Sequence, residues 1–501
     1  MIKQWQTMHE YHYYLTESKV HFDSSERSRM HNELWIPWQK LKFFDTDIAM
    51  RFLEPFFSHT GRPAINQPQI IRSFILFAIL VSLGQVANSL SLWVKRLESD
   101  RVLAALIGCA PSTVPPLGSY YDFMDRLWHS STPDIYGRNH LLPSTWHHSR
   151  PDKPKGKKKK APEKSESITE LLGKRLLQHK DIYFNDEAHL QQFFYEVAVL
   201  PSIDAGVIPM DSLTVSGDGT AVHTHASPYG HHQTDTSAMS PDEIRSAPRH
   251  YSDPDATWGY DSDLEDHYYG YTLFHLSCYN STLCSDIPLL LRFTSARRHD
   301  AVNFLVAFNE MEKHMPAVKP QNMCLDSAMD NYPTYRLLKD RNISAFIDLN
   351  SNRGRPKSIP DSIKIDKNGT PICNAGSKMS PNGCDKSRGT LIWRCPYSKD
   401  HACKCPQSCS SAKYGRGIKT KAEWDIRLYT DVPRGTDAYK QIYKQRTATE
   451  RINNRILNDY GLHKMKIHTK EHYSFFTMII AICLHLDARY KQSCMNQSET
   501  A

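Results

Sequence analysis

Residues 67 to 97, QPQIIRSFILFAILVSLGQVANSLSLWVKRL, carry Ile71, Phe74, Leu76, Leu80, Leu83 and Val86 at helical spacing, with polar residues thickening after Gly84. Residues 1 to about 130 read as helical throughout, which predicts a small all-α bundle. A Ser, Thr and Pro-rich start at 110 followed by an amphipathic turn predicts the entry to a further helix. A bundle of this kind is compatible with a helix-turn-helix-like DNA reader, and equally with plain packing units.

A helical stretch over 167–200 follows, and then the period changes. LTVSGDGTAV (213–222), YTLFHLSCYN (271–280) and IPLLLRFTS (287–295) are short, apolar or alternating, and bounded by turn formers, so they predict strands. Next come a helix (DAVNFLVAFNEMEKHM), a strand ending at Asp326, a helix (YPTYRLLKDRN) and the strand SAFIDLN at 344–350. Three strands, then helix, strand, helix, strand, make a mixed α/β sheet, and no glycine-rich phosphate loop marks it as a Rossmann unit. Residues 351–422 break the regularity with Gly, Pro, Ser and Lys and hold six cysteines. A last strand is expected at WDIRLYT (424–430), then a long helix over about 436–460 stopped by Gly461, then the apolar helix EHYSFFTMIIAICLHLDARY. The organisation expected is a helical region over 1–130, a linker over 131–166, the first part of an α/β core over 167–350, a Cys-rich basic insertion over 351–422, and the closing part of the core over 423–490.

Charge sharpens this picture. The net charge is +8, but the stretch RPDKPKGKKKKAPEK (150–164) concentrates it with almost no apolar content, which predicts a flexible basic linker suited to a polyanion. MIKQWQTMHEYHYY lacks the apolar core of a secretory signal, and the longest apolar run, SFILFAILVSL, is well short of the roughly 20 residues that span a bilayer. A cytoplasmic protein without a membrane partner is therefore expected, its twelve cysteines reduced or bound to metal.

Three acids stand out. Asp218 and Asp326 close predicted strands, where functional groups gather on a rigid scaffold, although each is also an ordinary turn residue. Glu450 lies on the helix TATERINNRIL; at 100° per residue Tyr443, Arg446, Glu450 and position 457 fall within about 60° of one another, beside an apolar face of Ile442, Thr449, Ile452, Ile456 and Tyr460. Packing that face on the sheet would turn Glu450 and Arg446 toward the strand ends. Two Asp and one Glu meeting there could hold two divalent cations through hard oxygen ligands, one activating a water or 3′-hydroxyl and the other stabilising the leaving oxygen of a phosphodiester. Without metal, three such charges repel.

VSGDGTAV, CLDSAMDNYPTYRLLKDRNISAFIDLN and YKQRTATERINNRILNDYGL resemble the three acidic blocks of the DDE transposases of bacterial insertion sequences. GRPAINQPQIIRSFILFAILVSLGQ is similar to that family's N-terminal helical region, and FTSARRHDAVNF to its segment after the third strand. The resemblance implies a ribonuclease H-like core and a site of Asp218, Asp326 and Glu450 with two Mg²⁺ or Mn²⁺ ions. It implies cleavage at transposon ends and transfer of the freed 3′-hydroxyl to target DNA, by a homodimer on double-stranded DNA in the bacterial nucleoid. The family's tail motif of Tyr, Arg, Glu and Lys is met by Tyr443, Arg446 and Glu450, but its lysine position is Leu457, so that contact with the DNA end falls to Arg455 or Lys464 or is weakened. The second block continues with Ser327, Ala328, Met329 and Asp330 in place of Gly-Tyr, so Asp330 competes with Asp326 as the second acid; Asp326 is favoured because it terminates the apolar strand. Two rivals remain, a DNA-binding descendant that no longer cuts and a metal-dependent nuclease without strand transfer.

Two clusters invite a metal reading. Cys395, Cys403, Cys405 and Cys409 are soft ligands suited to structural Zn²⁺, yet no pair of Cys-x-x-Cys knuckles accompanies them, and a thiol-bearing loop is the alternative. His223, His225, His231 and His232 follow Asp218, but the polar stretch up to Asp266 reads as a strand-poor surface loop.

Overall fold

The computed structural model describes residues 2, 5–128, 166–182, 187–232, 235–237, 239–247, 249–261, 264–350, 356, 358–398, 405–407, 410, 412 and 415–499. The basic run 150–164 lies outside the described residues.

Eight helices open the chain: α1 (Met8–Val20), α2 (Ser24–Asn32), α3 (Trp35–Leu41), α4 (Thr46–Leu53), α5 (Gln67–Ser82), α6 (Leu90–Ser99), α7 (Arg101–Ile107) and α8 (Leu117–Trp128). α5 is apolar on every side and is buried from Gln67 to Leu80. Its one charge, Arg72, is satisfied by hydrogen bonds in the interior: it donates to Gln6 Oε1 (2.6 Å), Thr46 Oγ1 (2.9 Å) and the Ile107 carbonyl (3.2 Å). The helix stops at Ser82, so Leu83 is exposed instead of continuing the apolar stripe. α9 (Ile168–Leu177), α10 (Ala188–Phe194) and α11 (Leu200–Asp204) lead into the sheet.

The sheet begins with β1 (Thr214–His223). A two-stranded ribbon, β2 (His231–His232) with β3 (Arg249–His250), flanks the short helix α12 (Pro241–Ser246). Then come β4 (Thr257–Asp261), β5 (Asp266–Asn280), β6 (Ser285–Ser295), α13 (Asp300–His314), β7 (Asn322–Leu325), α14 (Tyr332–Asp340) and β8 (Ser344–Ile347). The main sheet runs β6-β5-β1-β7-β8, with β4 joined to the first half of β5. β5 is antiparallel to β1 and β6, while β1, β7 and β8 are parallel, with α13 and α14 as the crossovers. Three antiparallel strands followed by two parallel ones is a ribonuclease H-like order. The stretch up to Asp266 is thus not a strand-poor loop, because Thr257–Asp261 alternates Trp258 and Tyr260 outward and pairs along β5.

The described residues between 359 and 430 form a folded insertion instead of an irregular loop. β9 (Ser380–Asp385), β10 (Thr390–Arg394) and β11 (Gly417–Lys421) make a separate antiparallel sheet over a small core that includes Cys373, Leu391, Trp393, Ile418 and Tyr429. The strand expected at 424–430 is absent: the Asp425 carboxylate accepts the backbone N–H of Arg427 (2.8 Å) and Leu428 (3.4 Å), which closes a turn. The helix expected over 436–460 is segmented into α15 (Asp437–Tyr443), a 3₁₀ turn, α16 (Thr447–Asn454) and a π turn over Arg455–Asp459, with Gly461 left-handed at φ 69° as a stop. The final helix, α17 (Lys470–Glu499), packs on both β6 and α5, and Phe475 meets Phe74 with ring centroids 4.7 Å apart. The N-terminal helices and the sheet therefore share one hydrophobic core. Among the described residues no helix is long and apolar enough to cross a membrane.

Candidate active site at the ends of the parallel strands

Register brings the two aspartates together. In the parallel pair β1–β7, Gly217 is the partner of Leu325, and the next residue along each chain is Asp218 and Asp326. Asp218 is not the end of its strand, as expected from sequence; β1 continues to His223 because β5 keeps pairing it as far as Gly270. What ends beyond Gly217 is the pairing with β7, which leaves Asp218 at the mouth of the parallel half of the sheet. The glycines on either side have a steric reason. A Cβ on Gly217 would come within 2.9 Å of Leu325 Cδ2, and one on Gly219 within 2.5 Å of Asp300 Oδ1.

α16 covers this part of the sheet through Ile452 and the neighbouring Ile456, both fully buried, as the apolar stripe predicts. Three polar contacts fix its placement: Asn453 Oδ1 lies 2.9 Å from His275 Nε2, Arg451 pairs with Asp286 (2.6 Å), and Thr449 Oγ1, whose proton goes to the Arg446 carbonyl, lies 3.4 Å from Asp218 Oδ2. Arg446, one turn before Glu450, donates to Glu450 Oε1 at 2.7 Å, and its other terminal nitrogen stands 3.9 Å from Asp218 Oδ2. The Glu450 side chain is 56% exposed, whereas that of Asp218 is 17% exposed.

The electrostatics are those of crowded carboxylates. Burial, and then the neighbouring Asp326 charge, push the Asp218 carboxyl up to about 7, with Arg446 acting in the opposite direction. Burial also raises Asp326, opposed by the Ala328 backbone N–H that its carboxylate accepts at 2.9 Å. A fourth acid joins them. Asp300, in the first turn of α13, is raised by burial and then by Asp326, and its charge is felt at Asp218. Sequence reading missed Asp300, although its place at the start of the helix after the third strand was visible. Among the described residues, no three of His, Cys, Asp and Glu lie close enough together to hold one ion. The donor set is nonetheless chemically suited to a hard divalent cation, and Arg446 already stands as a positive charge between Asp218 and Glu450.

Asp330 is engaged elsewhere: fully buried, it pairs with Arg427 (3.0 Å) and accepts the Asn350 N–H (2.9 Å). Tyr443 turns inward, stacking on Tyr439 with centroids 6.0 Å apart, and burial and then the facing Asp348 raise its phenol. Leu457 is buried in the π turn, and Arg455 is held by Asp487 of α17 at 2.5 Å, so neither offers a free cation beside Glu450. Lys464 is exposed and lines a cavity of about 570 Å³ with Asn88, Tyr121, Lys466 and His468. Of the cysteines read as zinc ligands, Cys395 is buried and Cys405 half-buried, while Cys403 and Cys409 lie outside the described residues. His223 stacks on Tyr268 and faces Asp261, and His225 meets the His463 carbonyl.

A family model described as the transposase DDE domain matches residues 211–486. No curated protein matches the chain. Among solved structures, the cryo-EM structure of the piggyBac transposase synaptic complex with hairpin DNA covers 92% of this chain and 76% of its own, at 10% identity and a TM-score of 0.37, too loose a superposition to carry weight. The family match takes in more than half of the 501 residues and contains Asp218, Asp326 and Glu450. The chain belongs to the transposase DDE domain family.

Proposed function

We propose that this protein cleaves DNA at the ends of a bacterial insertion sequence and joins the freed 3′-hydroxyls to target DNA, acting as a homodimer. The observation that carries the reading is the shared register of β1 and β7, which supports Asp218 and Asp326 as a pair of facing ligands. Asp218, Asp326 and Glu450 would hold two Mg²⁺ or Mn²⁺ ions. Bound there, the cations would activate a water or 3′-hydroxyl and offset charge on the leaving oxygen. The chain's own contribution is placement. The two strand acids are fixed by the sheet, and the helix acid is carried on α16, whose Arg446 is a planar, permanently charged donor suited to a phosphate. Lys464 and the exposed bases Lys419 and Lys421 of β11 are further candidates for the DNA backbone, where each neutralised phosphate strengthens binding at low salt.

Strand transfer separates this function from that of a simple nuclease. Duplex ends already bearing a free 3′-hydroxyl, incubated with the protein, Mg²⁺ and a supercoiled target plasmid, should yield joined products. Cleavage of the cognate ends without any joined product would favour a nuclease.

A further inference from the structure

Arg446 is shared by two acids from different parts of the fold. One terminal nitrogen donates to Glu450 Oε1 at 2.7 Å and the other stands 3.9 Å from Asp218 Oδ2, so one guanidinium spans the gap between the helix acid and the strand acid. An Arg-Glu pair one helical turn apart is commonplace on a surface and contributes little. The third member makes this one different: Asp218 lies on β1, is largely shielded from water, and already bears the charge of Asp326. Arg446 is itself only 22% exposed, and its backbone is pinned, since its carbonyl accepts Thr449 Oγ1 at 2.8 Å while the same hydroxyl reaches Asp218. Glu450 is the solvent-facing partner. It is the most exposed of the three acids for which an ion pair or strand position is fixed here, and Arg446 is the group that holds it.

Building on the metal-site reading above, we propose that Arg446 is a latch: in the protein without DNA its guanidinium takes the place of a divalent cation between Asp218 and Glu450, and a DNA phosphate draws it away. Guanidinium and cation compete for the same two carboxylates, and they repel each other at this range. A fork-shaped donor that satisfies carboxylates also fits a phosphate, so the backbone of a bound DNA end offers it an alternative partner. Loading of the site then depends on DNA. Linkage requires the converse, that the cation tightens DNA binding by the same factor. Arg446 is here a positioning residue, acting through Glu450.

The test is Mn²⁺ affinity of the full-length protein, followed by electron paramagnetic resonance without DNA, for wild type, Arg446→Gln, Glu450→Gln and the double variant. Arg446→Gln should bind Mn²⁺ about tenfold more tightly than wild type. That gain should largely vanish in the Glu450→Gln background, because the latch acts through Glu450. A short duplex, corrected for its own Mn²⁺ binding, should raise the affinity of wild type more than that of Arg446→Gln. If Arg446→Gln does not fold, Arg446→Met, which keeps the apolar stem but removes the charge, should also bind more tightly than wild type. An unchanged affinity in the Arg446 variants, a gain undiminished by Glu450→Gln, or an equal response to duplex overturns the latch. Asp218→Asn distinguishes the two levels: if it binds Mn²⁺ as wild type does, the metal-site reading has itself failed, whereas its loss of affinity beside an unchanged Arg446→Gln removes the latch alone.

Discussion

Asp218 and Asp326 stand side by side because Gly217 and Leu325, the residues before them, are partners in a parallel register. Packing depends on the same register from the other face. A methyl on Gly219 would meet Asp300 Oδ1 at 2.5 Å and Thr272 Cγ2 at 3.3 Å, so Gly219→Ala must displace the Asp300 carboxylate. The expected cost is about 1–3 kcal/mol, read from the midpoint of urea unfolding. An unchanged midpoint would mean that Asp300 is free to move aside.

Asp326 and Asp330, four residues apart, should respond oppositely to neutralisation. Asp330 is fully buried against Arg427, and removing one partner of such a pair leaves a buried charge uncompensated. Asp330→Asn is expected to lose about 3 kcal/mol of stability. Asp326→Asn removes a charge that repels Asp218 and Asp300, so the metal-free protein should keep or gain stability. Thermal melts of the two variants in a chelating buffer decide this, and a large loss in Asp326→Asn with none in Asp330→Asn would reverse the assignment.

A pH effect arises away from the site, where α8 and α17 meet. Burial, and then the hydrogen bond to Asp125, push Glu471 up to about 7. A carboxyl raised in the folded state contributes its stability below its unfolded value and loses it as pH climbs through the folded one. The contribution should therefore fall away between about pH 4.5 and 7. Glu471→Gln should leave the Tm unchanged at pH 5 and raise it at pH 8; a rise of equal size at both would contradict the raised Glu471 carboxyl.

Much of this was legible in the chain. Period-two runs marked β1, β5 and β6, and an apolar run ending in Asp marked β7, because strands buried on a sheet must alternate or stay apolar. The stripe of Ile452, Ile456 and Tyr460 predicted the buried face of α16 and the π turn that continues it. Less was legible where contacts far apart in sequence decide. β9, β10 and β11 build a core from scattered single residues, among them Trp393 and Ile418, with no sustained period. WDIRLYT has the composition of a strand, but the Asp425 carboxylate turns its backbone. Asp300 reaches the acids only through the packing of α13 on β1, and the commitment of Asp330 to Arg427 joins residues 97 positions apart.

The most direct measurement is cleavage of a plasmid carrying the element's ends by wild type, Asp218→Asn, Asp326→Asn and Glu450→Gln, with Mg²⁺ or with EDTA, alongside binding to the same ends. Losing a group that merely supports a metal ligand lowers activity about 10- to 100-fold, so losing a ligand should cost at least about 100-fold. The account predicts that wild type cuts only with Mg²⁺, and that each variant binds the ends but does not cut them. Cutting in EDTA, or a variant that cuts at the wild-type rate, would contradict it.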